Sequence, residues 1–134
     1  MKQTLIDTDT LSYFFRNNSS VVSGFNAYLQ EYDVINISVI THYEVLNGLI
    51  FKDAKSQLKA FNKFVELNRV LPLTKNISNK AAEIYAGLRS QGLSIGHNDT
   101  LIAGTALEYD LQLITNNLNH FKRIPKLEIE SWMK

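Results

Sequence analysis

Residues 5–11 read Leu-Ile-Asp-Thr-Asp-Thr-Leu, a short apolar run that stops on an acid and passes straight into hydroxyl and acidic residues able to cap a helix. That is how a strand of a parallel sheet hands over to its crossover helix. The same handover recurs further on. The run Val34–Ile37 precedes Ser38, an N-cap residue type, and the stretch THYEVLNG (41–48) places Glu44 about one turn into the helix that follows. In NDTLIAG (98–104), Asp99 begins another helix. In an open α/β sheet the strand C-termini and the helix starts behind them converge on one crevice, where the ligand sits. Asp7, Glu44 and Asp99 are therefore expected to meet. Carboxylates gathered in this way repel one another, which raises their pKa values unless a cation holds them. Magnesium, with manganese as the alternative, is the expected cation, because both favour oxygen ligands and the chain has no cysteine.

With 134 residues the chain has the size of one domain, 1–134, able to bury roughly two-thirds of its unfolded surface. A hydrophobic fraction of 45% and a charged fraction of 20% are those of an ordinary globular protein, which excludes disordered and fibrous classes. No apolar run reaches transmembrane length, so no membrane partner is expected. Asp7 and Asp9 interrupt any signal-like core, and the absence of cysteine fits a cytoplasmic setting.

The formal charge of +1 offers no bulk attraction for nucleic acid, so any basic surface must be local. One such cluster exists. Lys52, Lys55, Lys59 and Lys63 recur at helical spacing beside an apolar stripe of Ala54, Leu58, Phe61 and Val65. Like charges at that spacing destabilise a helix by roughly 0.2–0.5 kcal/mol per pair, which suggests either a phosphate track or a solvated lysine face. Lys55, Lys59 and Lys63, together with Arg89, are the residues expected to meet phosphate if that surface binds nucleic acid. Arg16, Lys122 and Arg123 are further candidates for phosphate contact.

Along the chain, strands are expected at 4–7, 34–37, 70–71, 111–115 and 127–129. Helices are expected near 8–15, 20–31, 39–49, 54–67, 77–88 and 99–108, with a turn-rich loop at 116–119. Thr8 or Asp9 reads as the first helix cap, Asn76 or Ser78 as the cap of the fifth, and Asn98 as that of the sixth. The third helix draws its apolar face from Val39, Tyr43, Leu46 and Ile50. Ala103, Gly104 and Ala106 permit close packing on a sheet. Strands alternating with helices imply a parallel sheet with right-handed crossovers.

Taken in order, LIDTDTLSYF, THYEVLNG, IGHNDTLIAG and the closing LITNNLNHFKRIP resemble the signatures of the PIN-domain ribonucleases, most closely the VapC toxins of toxin–antitoxin pairs. The resemblance spans almost the whole chain. It implies a three-layer α/β/α fold, a central parallel sheet of four to five short strands surrounded by helices. It also maps the family's first three acids to Asp7, Glu44 and Asp99, and its fourth site position to Asn117, two residues after Thr115. An amide there departs from the acidic version. It can reach a hard cation through its carbonyl but adds no charge, which bears on a second metal. Asp9 and Thr115 are supporting residues. His97 falls outside the family pattern and is given no catalytic role.

The resemblance implies an endoribonuclease toxin in which Asp7, Glu44 and Asp99 hold one or two divalent ions that activate water for phosphodiester hydrolysis. It further implies RNA as substrate, with tRNA or ribosomal loops as targets, a cognate VapB-type antitoxin that blocks the acidic groove, and a homodimer. Two rivals stay open. One is a PIN-like module that binds RNA or protein and cleaves weakly. The other is a haloacid-dehalogenase-like phosphatase, whose D-x-D-x-T opening LIDTDTL matches superficially, although the chain lacks the adjacent acidic pair that chemistry uses.

Overall fold

The computed structural model describes residues 1–134. Five short strands form its centre: β1 (Thr4–Ile6), β2 (Asn36–Ser38), β3 (Arg69–Leu71), β4 (Gln112–Ile114) and β5 (Ile129–Glu130). Every pairing is parallel, with Leu5 opposite Leu113, Leu113 opposite Ile129, and Ile37 opposite Val70. The ladders β1-β4-β5 and β2-β3 are separately hydrogen-bonded. They are joined where the Asn36 side-chain amide donates to the Thr4 carbonyl at 3.0 Å. Parallel neighbours need crossover connections, and the helices supply them.

Seven helices surround the strands: α1 (Thr8–Phe15), α2 (Ser19–Leu29), α3 (Val39–Phe51), α4 (Lys55–Leu67), α5 (Lys75–Ser90), α6 (His97–Glu108) and the short α7 (Leu118–Phe121). Successive strand side chains point to opposite faces, and both faces are covered. Leu5 and Leu113 pack with Ile84 and Leu88 of α5, Ile102, Ala103 and Ala106 of α6, and Phe121. Ile6 and Ile114 pack on the other side with Leu11 of α1, Val21, Phe25 and Tyr28 of α2, and Phe61 of α4. The result is the expected helix–sheet–helix sandwich. Ala103 and Ala106 face the sheet, whereas Gly104 meets α5: a β-carbon there would lie 3.1 Å from the Ile77 carbonyl oxygen.

Several local expectations are corrected. The cap of α1 is Asp7 itself, whose carboxylate accepts from the Thr8 amide, so neither Thr8 nor Asp9 has that role. The hydroxyl of Thr74 caps α5, starting it before Asn76 and Ser78, and α6 begins after Gly96 without a side-chain cap. The loop 116–119 contains the start of α7, and the last strand lies at 129–130. On α3 the expected inward face holds at Leu46 and fails at Tyr43 and Ile50, which are 60% and 63% exposed, while Thr41 is buried and Val45 and Leu49 pack inward beside Leu46. Apolar residues run almost all round this helix, so periodicity singles out no face. No helix is long and apolar enough to cross a membrane.

Candidate active site

The C-terminal ends of β1 and β4 lie side by side, because their register pairs Ile6 with Ile114. The next residues, Asp7 and Thr115, therefore face one another across the end of the sheet. One oxygen of Asp7 accepts from the Thr8 amide at 2.8 Å and the other from the Thr115 hydroxyl at 2.8 Å. Asp7 is only 5% exposed. Burial is the main cause that pushes its carboxyl up to about 7. The charge of Asp9 adds to this and that of Asp99 contributes less, while the two hydrogen bonds oppose the rise.

β2 hands over to α3 through Ser38, whose hydroxyl accepts from the Thr41 amide and fixes the first turn. Glu44 follows one turn later. One of its oxygens accepts from the Thr8 hydroxyl at 2.7 Å, the other from the Asn98 amide at 3.4 Å. Thr8 also touches the Thr41 hydroxyl at 2.9 Å, so α1, α3 and α6 are laced together around this glutamate. Asp99, in the first turn of α6, has its pKa raised, chiefly by burial. His120 opposes that shift, and Glu44 and Asp9 reinforce it. The His120 Nδ1 atom lies 3.4 Å from the Asp99 carboxylate and 2.8 Å from the Asn117 amide.

Asn117 is held by its own backbone N–H, which donates to the Thr115 hydroxyl at 3.0 Å. Asp9 accepts from the Asn116 amide at 3.1 Å, tying the start of α1 to the loop after β4. Asp7, Asp9, Glu44, Asp99 and Asn117 thus line one cleft of about 360 Å³, together with Thr8, Ser12, Tyr13 and Arg16. Residues drawn from four separate stretches of chain converge here. The remaining expected residues do not join them. Lys55, Lys59 and Lys63 line a different, exposed groove along α4, and Arg89 lies in the last turn of α5, outside the cleft lining.

Four participants carried no site role in the sequence pattern. Thr8 and Asn98 orient Glu44, and His120 bridges Asp99 and Asn117. Tyr13 lines the cleft beside Arg16, which the sequence offered only as a reserve phosphate contact. The available signals were adjacency of Thr8 and Asn98 to the acids and, for His120, one helical turn after Asn117. His97 stacks on Tyr85 with ring centroids 4.5 Å apart and stays out of the site.

All the cleft's donors are hard oxygens, the type that a magnesium-like cation selects. As placed, no three His, Asp or Glu side chains stand close enough together to hold one metal ion by themselves. Both oxygens of Asp7 and of Glu44 are engaged by neighbours. An open acidic cleft of this kind suits one or two hydrated ions that share Asp7, Glu44 and Asp99 and keep several waters each, and does not suit an ion that needs a full protein shell.

A parallel sheet covered on both faces, with separate acids brought to its C-terminal edge, is an arrangement open to several α/β enzyme classes, and among them the PIN-domain family model matches residues 4–127. The chain belongs to that family. Its relatives place it with the VapC ribonucleases. It is 32% identical over 129 residues to the ribonuclease VapC of Rickettsia bellii, covering 93% of this chain and 92% of that one. It is 30% identical to the tRNA(fMet)-specific endonuclease VapC of Salmonella typhimurium over 134 residues, covering 98% and 99%. Among solved structures, DNA-bound VapBC from Salmonella typhimurium superposes with a TM-score of 0.88 at 30% identity, covering 98% and 99% of the two chains. VapBC2 from Rickettsia felis, bound to a promoter DNA fragment, gives 0.88 at 27% identity over 96% and 98%.

Proposed function

We propose that this protein is the toxin of a toxin–antitoxin pair, an endoribonuclease that hydrolyses RNA phosphodiester bonds using magnesium, or manganese, held by Asp7, Glu44 and Asp99. The observation that carries the reading is the convergence of these three acids, with Asp9 and Asn117, in one cleft. The raised pKa values of Asp7 and Asp99 add weight, since acids in such surroundings gain most from a cation. When bound there, a divalent ion supplies charge to the phosphate and makes water a competent nucleophile near neutral pH.

The chain's own residues set the geometry. Asp7 is fixed by two donors and presents its carboxylate without rotameric freedom. Thr8 and Asn98 hold Glu44 toward the cleft, and Thr115 positions both Asp7 and the Asn117 backbone. The hydroxyls nearest the acids donate to carboxylates, so neither is primed by an imidazole, and water is the nucleophile. The family assignment removes the phosphatase rival.

Relatives named as a tRNA endonuclease and as ribonucleases support RNA as substrate, with tRNA first among the classes to try. Neighbours solved as VapBC complexes support a VapB-type antitoxin as partner, one that would block the cleft, for which an arginine set among the carboxylates is the fitting chemistry. A homodimer is part of the same reading. The test is expression of the chain without an antitoxin, followed by mapping of RNA ends. New ends concentrated in a few tRNA or ribosomal loops, absent when Asp99→Asn is expressed, are expected. Unchanged RNA ends at equal protein level would contradict the proposal and leave a binding module.

A further inference from the structure

Arg16 ends α1 at the rim of the acidic cleft and is the only cationic side chain in its lining. Four carboxylates share that lining, yet Arg16 pairs with none. The ion pairs of the protein are the N-terminal amine with Glu31, Lys2 with Glu128, and His120 with Asp99. The Arg16 guanidinium instead lies over the Tyr13 ring, 4.7 Å from its centroid. Its Nε donates to the Ser12 carbonyl at 3.4 Å. These contacts occupy one face of the guanidinium and one N–H, leaving the terminal nitrogens and their fork of donors open.

A guanidinium resting on an aromatic ring loses less freedom when it binds than a free side chain does. Its outward fork matches two oxygens of a phosphate. A nucleic acid that enters a cleft of carboxylates is repelled everywhere except at the cations, and the lining offers one at its edge. We infer that Arg16, seated on Tyr13, grips a backbone phosphate of the RNA strand beside the one that is cleaved, and so sets which bond lies over Asp7 and Asp99. The inference rests on the nuclease reading above. An arginine at a helix end also stabilises the last carbonyls of that helix. That structural role alone would alter melting temperature and leave the salt dependence of RNA binding untouched.

The experiment uses full-length Asp99→Asn protein with calcium in place of magnesium, so that the remaining acids keep a cation and nothing is cleaved. Its affinity for a fluorescent mixed-sequence single-stranded RNA is measured across salt concentrations, with melting temperatures alongside. Arg16→Gln should weaken binding roughly 5- to 30-fold and lower the slope of log K against log salt by about 0.7. Arg16→Lys should restore the slope and recover only part of the affinity, because a point charge lacks the fork. Tyr13→Phe should match the parent, and Tyr13→Leu should lose several-fold. In the cleaving enzyme, Arg16→Gln should raise KM more than it lowers kcat. Equal affinity and slope for Arg16→Gln, in a parent that binds RNA, would overturn the assignment and leave the nuclease reading standing. A lower melting temperature with unchanged slope would do the same. A parent that binds no RNA would overturn both.

Discussion

Asp7→Asn tests the electrostatics of the cleft in a way that needs no substrate. The ordinary carboxyl value of 3.8 is raised to about 7 in the folded protein. The unfolded chain therefore ionises at Asp7 about three pH units before the folded one does. At 1.36 kcal/mol per unit, the folded state is penalised by about 4 kcal/mol once the pH exceeds both values. The sign is fixed by proton counts. Between about pH 4 and about pH 7 the native state binds more protons than the unfolded chain, so stability falls as pH rises, and it levels off above about pH 7.

Asparagine removes this penalty and remains a good N-cap for α1. It keeps one acceptor where aspartate had two, so the loss or reversal of the Thr115 bond costs about 1 kcal/mol. In EDTA at about pH 8 the variant should be more stable by roughly 1–3 kcal/mol, a rise in melting temperature of roughly 5–10 °C. At about pH 4 the order should reverse or vanish. Urea denaturation of both proteins at several pH values measures it. A difference that does not change with pH, or a variant less stable at about pH 8, would refute the placement of Asp7 as a buried, repelled carboxylate.

Other outcomes follow from the same geometry. Asn117→Asp adds a carboxylate beside Asp99 and His120 and should tighten magnesium binding measured by calorimetry; equal or weaker affinity would place residue 117 outside the ligand shell. Replacing Lys55, Lys59 and Lys63 together with Gln should leave short oligonucleotides that fit within the cleft unaffected. With RNA long enough to reach α4, the change should lower the salt slope by about 0.7 for each lysine that had met a phosphate. An unchanged slope with long RNA would return those lysines to a solvated face.

The sheet and its acids were legible because two independent patterns agree. Leu5-Ile6 and Leu113-Ile114 are apolar on both faces, which is what a doubly covered parallel strand demands, and Asp7 follows a strand end, Asp99 opens a helix and Glu44 lies one turn into another. The orientation of α3 was not legible, since Tyr43, Val45, Leu46, Leu49 and Ile50 offer apolar character on every side. Only packing against α1 and α4 decides which of them go inside. Caps were ambiguous wherever hydroxyl and acidic residues cluster, so Asp7 hid its capping role behind Thr8 and Asp9. The orienting contacts were hidden for a different reason. Thr115 reaches Asp7 across 108 positions and Thr8 reaches Glu44 across 36, separations over which local spacing says nothing. The lysines show the converse: a regular spacing that is visible in sequence need not point at the site.

The most direct test of the account is RNA cleavage by the purified protein with magnesium, compared with Asp99→Asn at matched protein and metal concentration. Asp99 lies at the cleft with its charge raised in energy by burial and by Glu44 and Asp9, so the asparagine variant should fold, keep or gain stability, and lose cleavage. EDTA should silence the unaltered protein in the same way. Undiminished cleavage by Asp99→Asn, or cleavage that persists in EDTA, would contradict the claim that these acids hold a metal for hydrolysis.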